Sequence, residues 1–410
     1  MVAYEGEQAL WALIQRLQRG RDPVGLRNVI WLDRKRDTLH FNREPLLEDL
    51  DALPCPDYDG YPLKAYLSPS LVLPYSPSRG CYWQKCAFCC YGLTRKATSC
   101  YRERSVAKVV ADLQNLSAKH GTRRFYFADD TLAPKTMVKL SRALLDAGLD
   151  VEWSTDVRPE KRFTAARCRV LKRAGCVSVA VGIESGSQRV LNLMEKGTRV
   201  PDVQRVIRDL SRAGIAVQVM TFTGFPTETA KEALKTVRLI RRILADVALF
   251  VVCDFDLVPG SKAYERPERY GLVEVYHLKG DEFGMNTYYV ARKPGWSDSE
   301  ATAVESAIAD LASRFRLRSY PYAGTVSVCH SFLYFSRYGK DVFKDMPPPT
   351  AELKGGASAV RLRFDLSEVT ATVADSSTEL AEALREEHRA VSRELYRRIT
   401  RRLPPVQASG

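Results

Sequence analysis

The strongest constraint on the fold is a regular alternation of strand-like and helical segments between residues 71 and 257. Six short apolar runs read as buried strands, at 71–75, 124–128, 151–155, 177–182, 216–223 and 249–257. Between them, apolar residues recur every three or four positions, which indicates helices, at 106–116, 137–145, 165–174, 203–213 and 231–244. This alternation predicts a parallel sheet with right-handed crossovers. The fold class is therefore α/β, either a six-stranded partial barrel or a doubly wound sheet.

The segments on either side of this core have a different character. With 410 residues, the chain is long enough for two or three domains. Residues 1–69 predict one amphipathic helix, Glu7–Arg19, then a short hairpin and a proline-rich linker, and the core follows over 70–265. Residues 266–410 predict an α+β extension of unknown role. Its expected elements are a helix near 299–315, a strand at 360–366 and a C-terminal helix over 380–399.

Composition favours a cytoplasmic protein. No apolar run approaches the roughly 18 residues of a membrane span, and the ten cysteines follow no disulfide-like spacing. The 62 Lys and Arg residues exceed the 49 Asp and Glu residues, which gives a net charge of +13. That excess admits an anionic partner. However, the arginines are scattered outside 389–402, which argues against a nucleic-acid partner.

Three cysteines with the spacing C-x4-C-x2-C follow the first predicted strand. They are Cys81, Cys86 and Cys89. Three thiolates without an evident fourth ligand suit an iron–sulfur cluster that keeps one iron open. A structural zinc ion requires four ligands, and Cys90 or Cys100 could supply the fourth. These residues alone leave both kinds of site open.

Polar residues follow most of the remaining predicted strands. Side chains at the carboxyl ends of parallel barrel strands converge on one face, where substrates bind. That pattern predicts a site built from the residues at five strand ends: Asp129 and Asp130, Asp156 and Arg158, Glu184 and Ser185, Thr223 and Gly224, and Asp254 and Asp256.

Four further motifs stand in order along the core: Phe125–Asp130, Gly182–Ser187, Gly224–Thr229 and Leu257–Ser261. Together with the cysteines they resemble the core of the cobalamin-type radical S-adenosylmethionine (SAM) enzymes, over roughly residues 70–265. That family typically spaces its cysteines C-x3-C-x2-C, so the first gap here is one residue longer. The resemblance implies a partial (β/α)6 barrel with bound SAM. It also implies a [4Fe-4S] cluster on the three cysteines, with the aromatic residue before the last cysteine in its expected place.

The resemblance assigns the methionine half of SAM to residues at three strand ends. Asp129 and Asp130 are expected to hold its amino group. Glu184 and Ser185 are expected to contact the ribose or the carboxylate. Arg158 is expected to pair with the carboxylate.

The resemblance implies that the cysteine loop and the fifth strand bind the adenosine half of SAM. The backbone at Phe88 is expected to bond the adenine, and Gly224 is expected to allow close approach of the adenosine. Asp254 and Asp256 are the candidate catalytic residues, because alternation along a sixth strand would place both on one face.

The chemistry implied by the resemblance is radical formation. An electron donor such as flavodoxin or ferredoxin reduces the cluster, SAM is cleaved, and a 5′-deoxyadenosyl radical takes a hydrogen atom from a peptide or secondary-metabolite substrate. One alternative is a methyltransferase that borrows cobalamin from a partner. Another, from a different class, is a zinc-binding basic protein that grips nucleic acid.

Two N-terminal segments resemble the trailing edge of a cobalamin-binding domain and its linker. They are Gly6–Leu10 and Leu50–Tyr58. Residues 1–69 are too few to hold cobalamin, so we expect that the isolated chain does not bind it. If a partner chain supplied the cobalamin domain, Gly6-Glu7 and Pro54–Tyr58 within these segments would be its docking edge.

Overall fold

The computed structural model describes residues 1–2, 4–41, 46–66, 68, 70–90, 101–129, 131–277, 287–292, 295–312, 314–315 and 328–345. Its helices are α1 (Glu7–Gln18), α2 (Val106–His120), α3 (Pro134–Asp146), α4 (Ala165–Arg173), α5 (Gln188–Leu193), α6 (Val200–Arg212), α7 (Ala230–Arg242), α8 (Lys262–Glu265), α9 (Asp298–Ala312), α10 (Val328–Tyr338) and α11 (Val342–Asp345). Its strands are β1 (Ile30–Asp33), β2 (Thr38–Phe41), β3 (Leu73–Tyr75), β4 (Ser78–Arg79), β5 (Arg102–Glu103), β6 (Arg124–Phe127), β7 (Glu152–Val157), β8 (Cys176–Glu184), β9 (Ala216–Thr223), β10 (Leu249–Asp254), β11 (Leu272–Tyr276) and β12 (Tyr288–Ala291).

The core of the molecule is one parallel sheet of six strands in the order β3-β6-β7-β8-β9-β10. Each strand pairs with the previous sheet strand in the chain, so every crossover moves in the same direction. Right-handed crossovers that all move one way place the helices on one face and curl the sheet. A doubly wound sheet would reverse direction part-way. The predicted partial (β/α)6 barrel is therefore confirmed, and the doubly wound alternative is wrong.

Local sequence explains where the units begin and turn. Helix α2 starts after Ser105, whose hydroxyl accepts a hydrogen bond from the Lys108 N–H at 3.2 Å and so caps the helix. The turn from α4 into β8 passes through Gly175 with φ +89°. A Cβ at that position would lie 1.7 Å from the Val151 carbonyl oxygen, so only glycine fits there.

The inner face of the sheet lines the lumen of the partial barrel. On β9, Val217 and Val219 pack into the core with the helices, so alternation turns Gln218, Met220 and Phe222 to the opposite, inner face. The neighbouring strand β8 contributes only small inner residues at these levels: Ser178, Ala180 and Gly182. Met220 is consequently 36 % exposed although it lies on a strand paired on both sides.

The N-terminal segment packs against the short β4–β5 ladder. Helix α1 and the β1–β2 hairpin agree with the predicted elements. Glu5 pairs with Arg102, and Glu7 pairs with Arg79. Four large apolar side chains of α1 stay largely exposed: Leu10, Trp11, Ile14 and Leu17.

Among the described residues, the segment after β10 adds an antiparallel β11–β12 hairpin and four helices, α8 to α11. The predicted helix 299–315 corresponds to α9, which packs against α7. Helix α10 contacts β7 and β8, and Ser336 Oγ donates a 2.9 Å hydrogen bond to Glu152 at the start of β7. The predicted strand 360–366 and helix 380–399 lie outside the described residues. No helix in the described ranges has the length and apolarity needed to cross a bilayer.

Candidate active site

The first half of the cysteine loop is tied to the ends of β6 and α5. Cys81 forms a parallel bridge with Thr131, just beyond β6. The indole N–H of Trp83 donates to the Glu195 carbonyl at 2.9 Å. The Trp83 ring also fills the space beside Gly197, where an added Cβ would lie 2.0 Å from a ring carbon. The backbone between Cys81 and Trp83 is thus held from two sides.

The second half of the loop is held by α5, α8 and β9. The N–H of Ala87 donates to the Met194 carbonyl at 2.7 Å, and the Ala87 carbonyl accepts from the Ala263 N–H at 2.9 Å. The Phe88 ring stands edge-on to Phe222, with 5.0 Å between centroids. The loop therefore sits over the carboxyl edge of the sheet, at the mouth of the lumen.

Two buried cations lie beneath this loop. Arg158 and Lys196 are 3 % and 4 % exposed. The guanidinium of Arg158 has Nη1 3.6 Å from Cys86 Sγ, and its carbon lies 4.2 Å from the centre of the Trp83 ring. Burial raises the pKa of the Cys86 thiol, while Lys196 and Arg158 act in the opposite direction. These two buried positive charges thus favour a negatively charged group at the thiols.

Arg158 makes several contacts within the protein, and its pairing with the SAM carboxylate stays a prediction. Its Nη2 donates to the Lys196 carbonyl at 2.6 Å, and its Nε lies 3.3 Å from Glu160 Oε1. Since Nη1 lies near Cys86 Sγ, each of the three guanidinium nitrogens has a neighbour within the protein. Sequence reasoning missed Lys196, which no motif marks and which reaches the site only because α5 folds back toward the loop.

The donor set suits a cluster better than a single ion. A four-iron cluster places each thiolate on a different iron, whereas zinc gathers its ligands around one point. Within the described ranges, no three His, Cys, Asp or Glu side chains are arranged to hold one metal ion. Three thiols on one loop near two buried cations are the kind of ligand set that an iron–sulfur cluster uses. Cys100 lies outside the described residues.

The end of β6 supports the loop. Asp129 is buried, and its Oδ1 accepts a 2.9 Å hydrogen bond from the Ser78 N–H, just before the cysteines. One oxygen of this carboxylate thus joins β6 to β4. Asp130 lies outside the described residues. Contact of either residue with the methionine amino group stays a prediction.

The end of β8 separates two predicted ligands. Glu184 has φ +61° at an irregularity in the ladder, and its Oε1 lies 2.6 Å from Lys196 Nζ. Ser185 is fully buried; its hydroxyl accepts from the Ser187 N–H at 3.1 Å and lies 3.5 Å from Thr236 Oγ1. Glu184 thus faces the lumen, whereas Ser185 holds the β8 loop against α7.

Sequence reasoning also missed Glu228, inside the Gly224–Thr229 motif. Gly224 has φ +80° with open space beside its Cα, and its N–H donates to Glu228 Oε2 at 2.7 Å. Burial raises the pKa of Glu228 to about 7. The sequence contains one sign of an unusual carboxyl here, a second acidic residue, Glu232, four positions after Glu228. The ion pair between Glu232 and Arg189 lowers the pKa of Glu232 to about 2.

The structure places Asp254 at the end of a strand and Asp256 beyond it, so alternation along a strand does not extend to Asp256. Strand β10 ends at Asp254, where its pairing partner β9 ends at Thr223, although the Phe255 N–H still bonds the Thr223 carbonyl. The register instead aligns Cys253 with Phe222 on the inner face. Burial raises the pKa of the Cys253 thiol, with further contributions from Asp254 and Glu184.

The two aspartates themselves lie toward the β11–β12 hairpin. Burial raises the pKa of Tyr289 on β12 to about 12, and the carboxylates of Asp254 and Asp256 add to the rise. The catalytic role of these aspartates stays a prediction, and Cys253 is the residue of this segment that the register turns inward.

Comparison with known proteins matches residues 75–240 to the model of the Radical SAM superfamily. Residues 75–240 thus form a radical SAM domain. The matched range contains the three loop cysteines, both buried cations and the β8 and β9 loop motifs. As a radical SAM domain, it is part of an enzyme.

Curated relatives share this core with modest identity. An uncharacterized methyltransferase of Pyrococcus horikoshii is 28 % identical over 272 residues, which are 65 % of this chain and 57 % of the relative. An anaerobic magnesium-protoporphyrin IX monomethyl ester cyclase of Rubrivivax gelatinosus is 26 % identical over 258 residues, or 60 % of this chain and 45 % of that protein. The chain thus spans about half the length of the curated relatives it matches.

Solved structures show the same fold. The radical SAM methyltransferase TsrM from Kitasatospora setae, solved with cobalamin and a [4Fe-4S] cluster, superposes with a TM-score of 0.59 at 20 % identity. That match covers 75 % of this chain and 68 % of TsrM. The cobalamin-dependent radical SAM enzyme OxsB superposes with a TM-score of 0.59 at 14 % identity, over 84 % of this chain and 55 % of OxsB.

Proposed function

We propose that Cys81, Cys86 and Cys89 hold a [4Fe-4S] cluster with one open iron, and that SAM binds at the mouth of the lumen. The reaction is hydrogen-atom abstraction from a peptide or secondary-metabolite substrate inside the barrel. The observation that carries this proposal is the pair of buried cations beneath a loop of three thiols. Arg158 and Lys196 each have a carboxylate partner, Glu160 and Glu184. Both cations also act to lower the pKa of the Cys86 thiol, so they favour the negative charge of a thiolate-ligated cluster.

When bound, the cluster and SAM together supply a carbon-centred radical, which is the hard part of the chemistry. The protein binds, orients and excludes water. The Glu184–Lys196 ion pair stands at the mouth of the lumen and offers one acceptor and one donor group to the polar half of SAM. Phe88 and Phe222 form an apolar wall beside it. Gly224 leaves open space for a flat ring to approach the backbone.

Anaerobic reconstitution with iron and sulfide tests the proposal. We expect four irons and four sulfides per chain, and 5′-deoxyadenosine and methionine after reduction by dithionite or flavodoxin. Alanine at Cys81, Cys86 or Cys89 removes the visible absorbance and SAM cleavage, whereas the matched control Cys90→Ala keeps both. One zinc ion per chain without sulfide would refute the proposal and favour the zinc-protein alternative.

A second candidate function is methyl transfer with cobalamin supplied by a partner chain. It is favoured by the exposed apolar face of α1 (Leu10, Trp11, Ile14 and Leu17), which adjoins the expected docking edge. The names of the methyltransferase relatives point the same way. Incubation with hydroxocobalamin, removal of free ligand and a visible spectrum test the difference. The leading proposal expects no retention and no S-adenosylhomocysteine; retention by the isolated chain, or that product without a partner, contradicts it.

A further inference from the structure

The lengthened first gap of the cysteine motif places an aromatic ring between the surface and the thiols. Trp83 and Lys85 both lie in this gap, and Lys85 is exposed. Lys85 Nζ lies 5.0 Å from the centre of the Trp83 ring, and the guanidinium carbon of Arg158 lies 4.2 Å from the same centre. Arg158 Nη1 in turn lies 3.6 Å from Cys86 Sγ. These contacts connect an exposed cation to a predicted cluster ligand through one column of side chains.

This column lies beside the connection between α5 and α6. The Trp83 N–H donates to the Glu195 carbonyl, and its ring occupies the space beside Gly197, which is exposed. The wall at the mouth of the lumen is instead formed by Phe88 and Phe222. SAM bound at that mouth would cover the Phe88 side of the loop, so the Trp83 side is the one left for a partner that must come close to the thiols.

Positive charge surrounds the outer end of the column. Lys262 Nζ donates to the Lys85 carbonyl at 2.9 Å. Lys262 and Arg269 also share one carboxylate, that of Glu195, at 2.5 Å and 3.3 Å. The side chain of Arg269 is 56 % exposed. Within these contacts three cations meet one carboxylate, which leaves an excess of positive charge at the base of the cysteine loop.

Other charges on the same stretch of chain modify this excess without reversing it. The exposed carboxylates of Glu265 and Glu268 offset part of it, and the exposed Arg266 lies between them in sequence. The net charge of +13 adds a long-range attraction for an acidic partner. Electron-transfer partners bury little surface and bind weakly, so charges that steer their encounter can determine the rate.

We propose that a small acidic flavoprotein, which supplies the electron, docks on the face formed by Trp83, Lys85, Lys262 and Arg269, and that the electron enters past Trp83. The inference rests on the proposed function, because it names the partner of the same cluster. One electron leaves the flavin and enters the cluster. No bond between donor and acceptor forms or breaks, and no proton passes between the two proteins.

Docking is measured first, with flavodoxin as the probe. NMR line broadening of labelled flavodoxin reports its binding to the protein with and without a reconstituted cluster, at low and high salt. Lys85→Glu and Arg269→Glu each reverse one charge of the face, whereas Glu195→Gln removes its shared carboxylate. Arg142→Glu, an equal reversal at an exposed position of α3, is the matched control.

We expect docking to weaken as salt is raised from about 20 to about 200 mM, because exposed charges are then screened. Lys85→Glu and Arg269→Glu should each weaken docking at low salt by at least about threefold. Glu195→Gln should strengthen it, and Arg142→Glu should leave it unchanged. Docking that does not respond to salt, or an equal loss in Arg142→Glu, would overturn the inference.

Electron entry is measured second, by stopped-flow absorbance of the cluster with SAM bound. Reduced flavodoxin is compared with dithionite, a small reductant that needs no docking face. Lys85→Glu and Arg269→Glu should slow reduction by flavodoxin by about the factor that they cost in docking, and should leave reduction by dithionite unchanged. Trp83→Leu should slow reduction by flavodoxin without weakening docking.

Two results of this second measurement would contradict the inference. An unchanged rate in Trp83→Leu would place the point of entry elsewhere, and equal losses with flavodoxin and dithionite in Lys85→Glu and Arg269→Glu would show a disturbed cluster instead of a lost docking face. The proposed function fails separately, if no cluster forms or if dithionite supports no cleavage of SAM. Docking on the protein without a cluster still reports on the face alone.

Discussion

Arg158 should set the reduction potential of the cluster. Its Nη1 lies 3.6 Å from Cys86 Sγ, and at an effective dielectric constant of about 20 this gives an attraction of about 4–5 kcal/mol per unit charge. Glu160, 3.3 Å from the same guanidinium, offsets part of that attraction. The added electron is also shared over the whole cluster. We therefore expect a net effect of about 1–2 kcal/mol, or about 40–90 mV for a one-electron couple.

The measurement is an anaerobic redox titration, followed by the electron paramagnetic resonance signal of the reduced cluster. Arg158→Met removes the positive charge, so its midpoint potential should become more negative. Arg158→Lys keeps the charge and should stay closer to the wild type, although it loses the hydrogen bond to the Lys196 carbonyl. Glu160→Gln is the control of opposite sign, because loss of a negative charge should make the potential more positive.

An unchanged potential in Arg158→Met, with full cluster content, would refute the electrostatic role. A shift of the same sign in Arg158→Met and Glu160→Gln would show that disturbed packing, not charge, is responsible. If Arg158→Met fails to retain a cluster, Glu160→Gln still tests the sign.

Two further predictions concern stability. Burial raises the pKa of Glu228 from 4.5 to about 7, so this carboxyl ionises at lower pH in the unfolded chain than in the folded one. The free energy of unfolding should therefore fall by about 3 kcal/mol as pH rises from about 4.5 to 7. Glu228→Gln should remove this pH dependence in urea titrations, and an unaltered dependence would contradict the assignment. Gly197→Ala should destabilise the protein by about 2–4 kcal/mol, because its φ is +71° and an added Cβ would lie 2.0 Å from the Trp83 ring. Gly224→Ala also has a positive φ, +80°, but open space beside it, so it should cost only about 1–2 kcal/mol. Equal losses of stability in calorimetry would show that the Trp83 contact contributes nothing.

The sheet could be predicted from sequence because its information is local. Strand β9 has the predicted bounds, Ala216–Thr223, since the whole apolar run finds a neighbour on each side. Strand β10 ends three residues before the predicted bound, because its apolar run continues beyond the point where the neighbouring strand β9 ends. The Phe255 N–H still bonds the Thr223 carbonyl at 2.8 Å, and beyond it no strand is available to pair.

The site was only partly predictable for a related reason. The cysteine loop is contiguous in sequence, so its spacing indicates its chemistry. Arg158 meets Cys86 across 72 residues and the Lys196 carbonyl across 38, and its burial depends on both. Such features belong to packing between distant segments, which periodicity does not encode.

The hydrogen bonds between α8 and the cysteine loop have a consequence for biosynthesis. Lys262 Nζ donates to the Lys85 carbonyl at 2.9 Å across 177 residues, and Ala263 bonds Ala87 beside it. Contacts so distant in sequence form late, because the whole intervening chain must be ordered before the loop closes. The loop therefore takes its final shape only after the ribosome has passed residue 263. Machinery that delivers iron and sulfide would meet an unfinished loop on every shorter nascent chain.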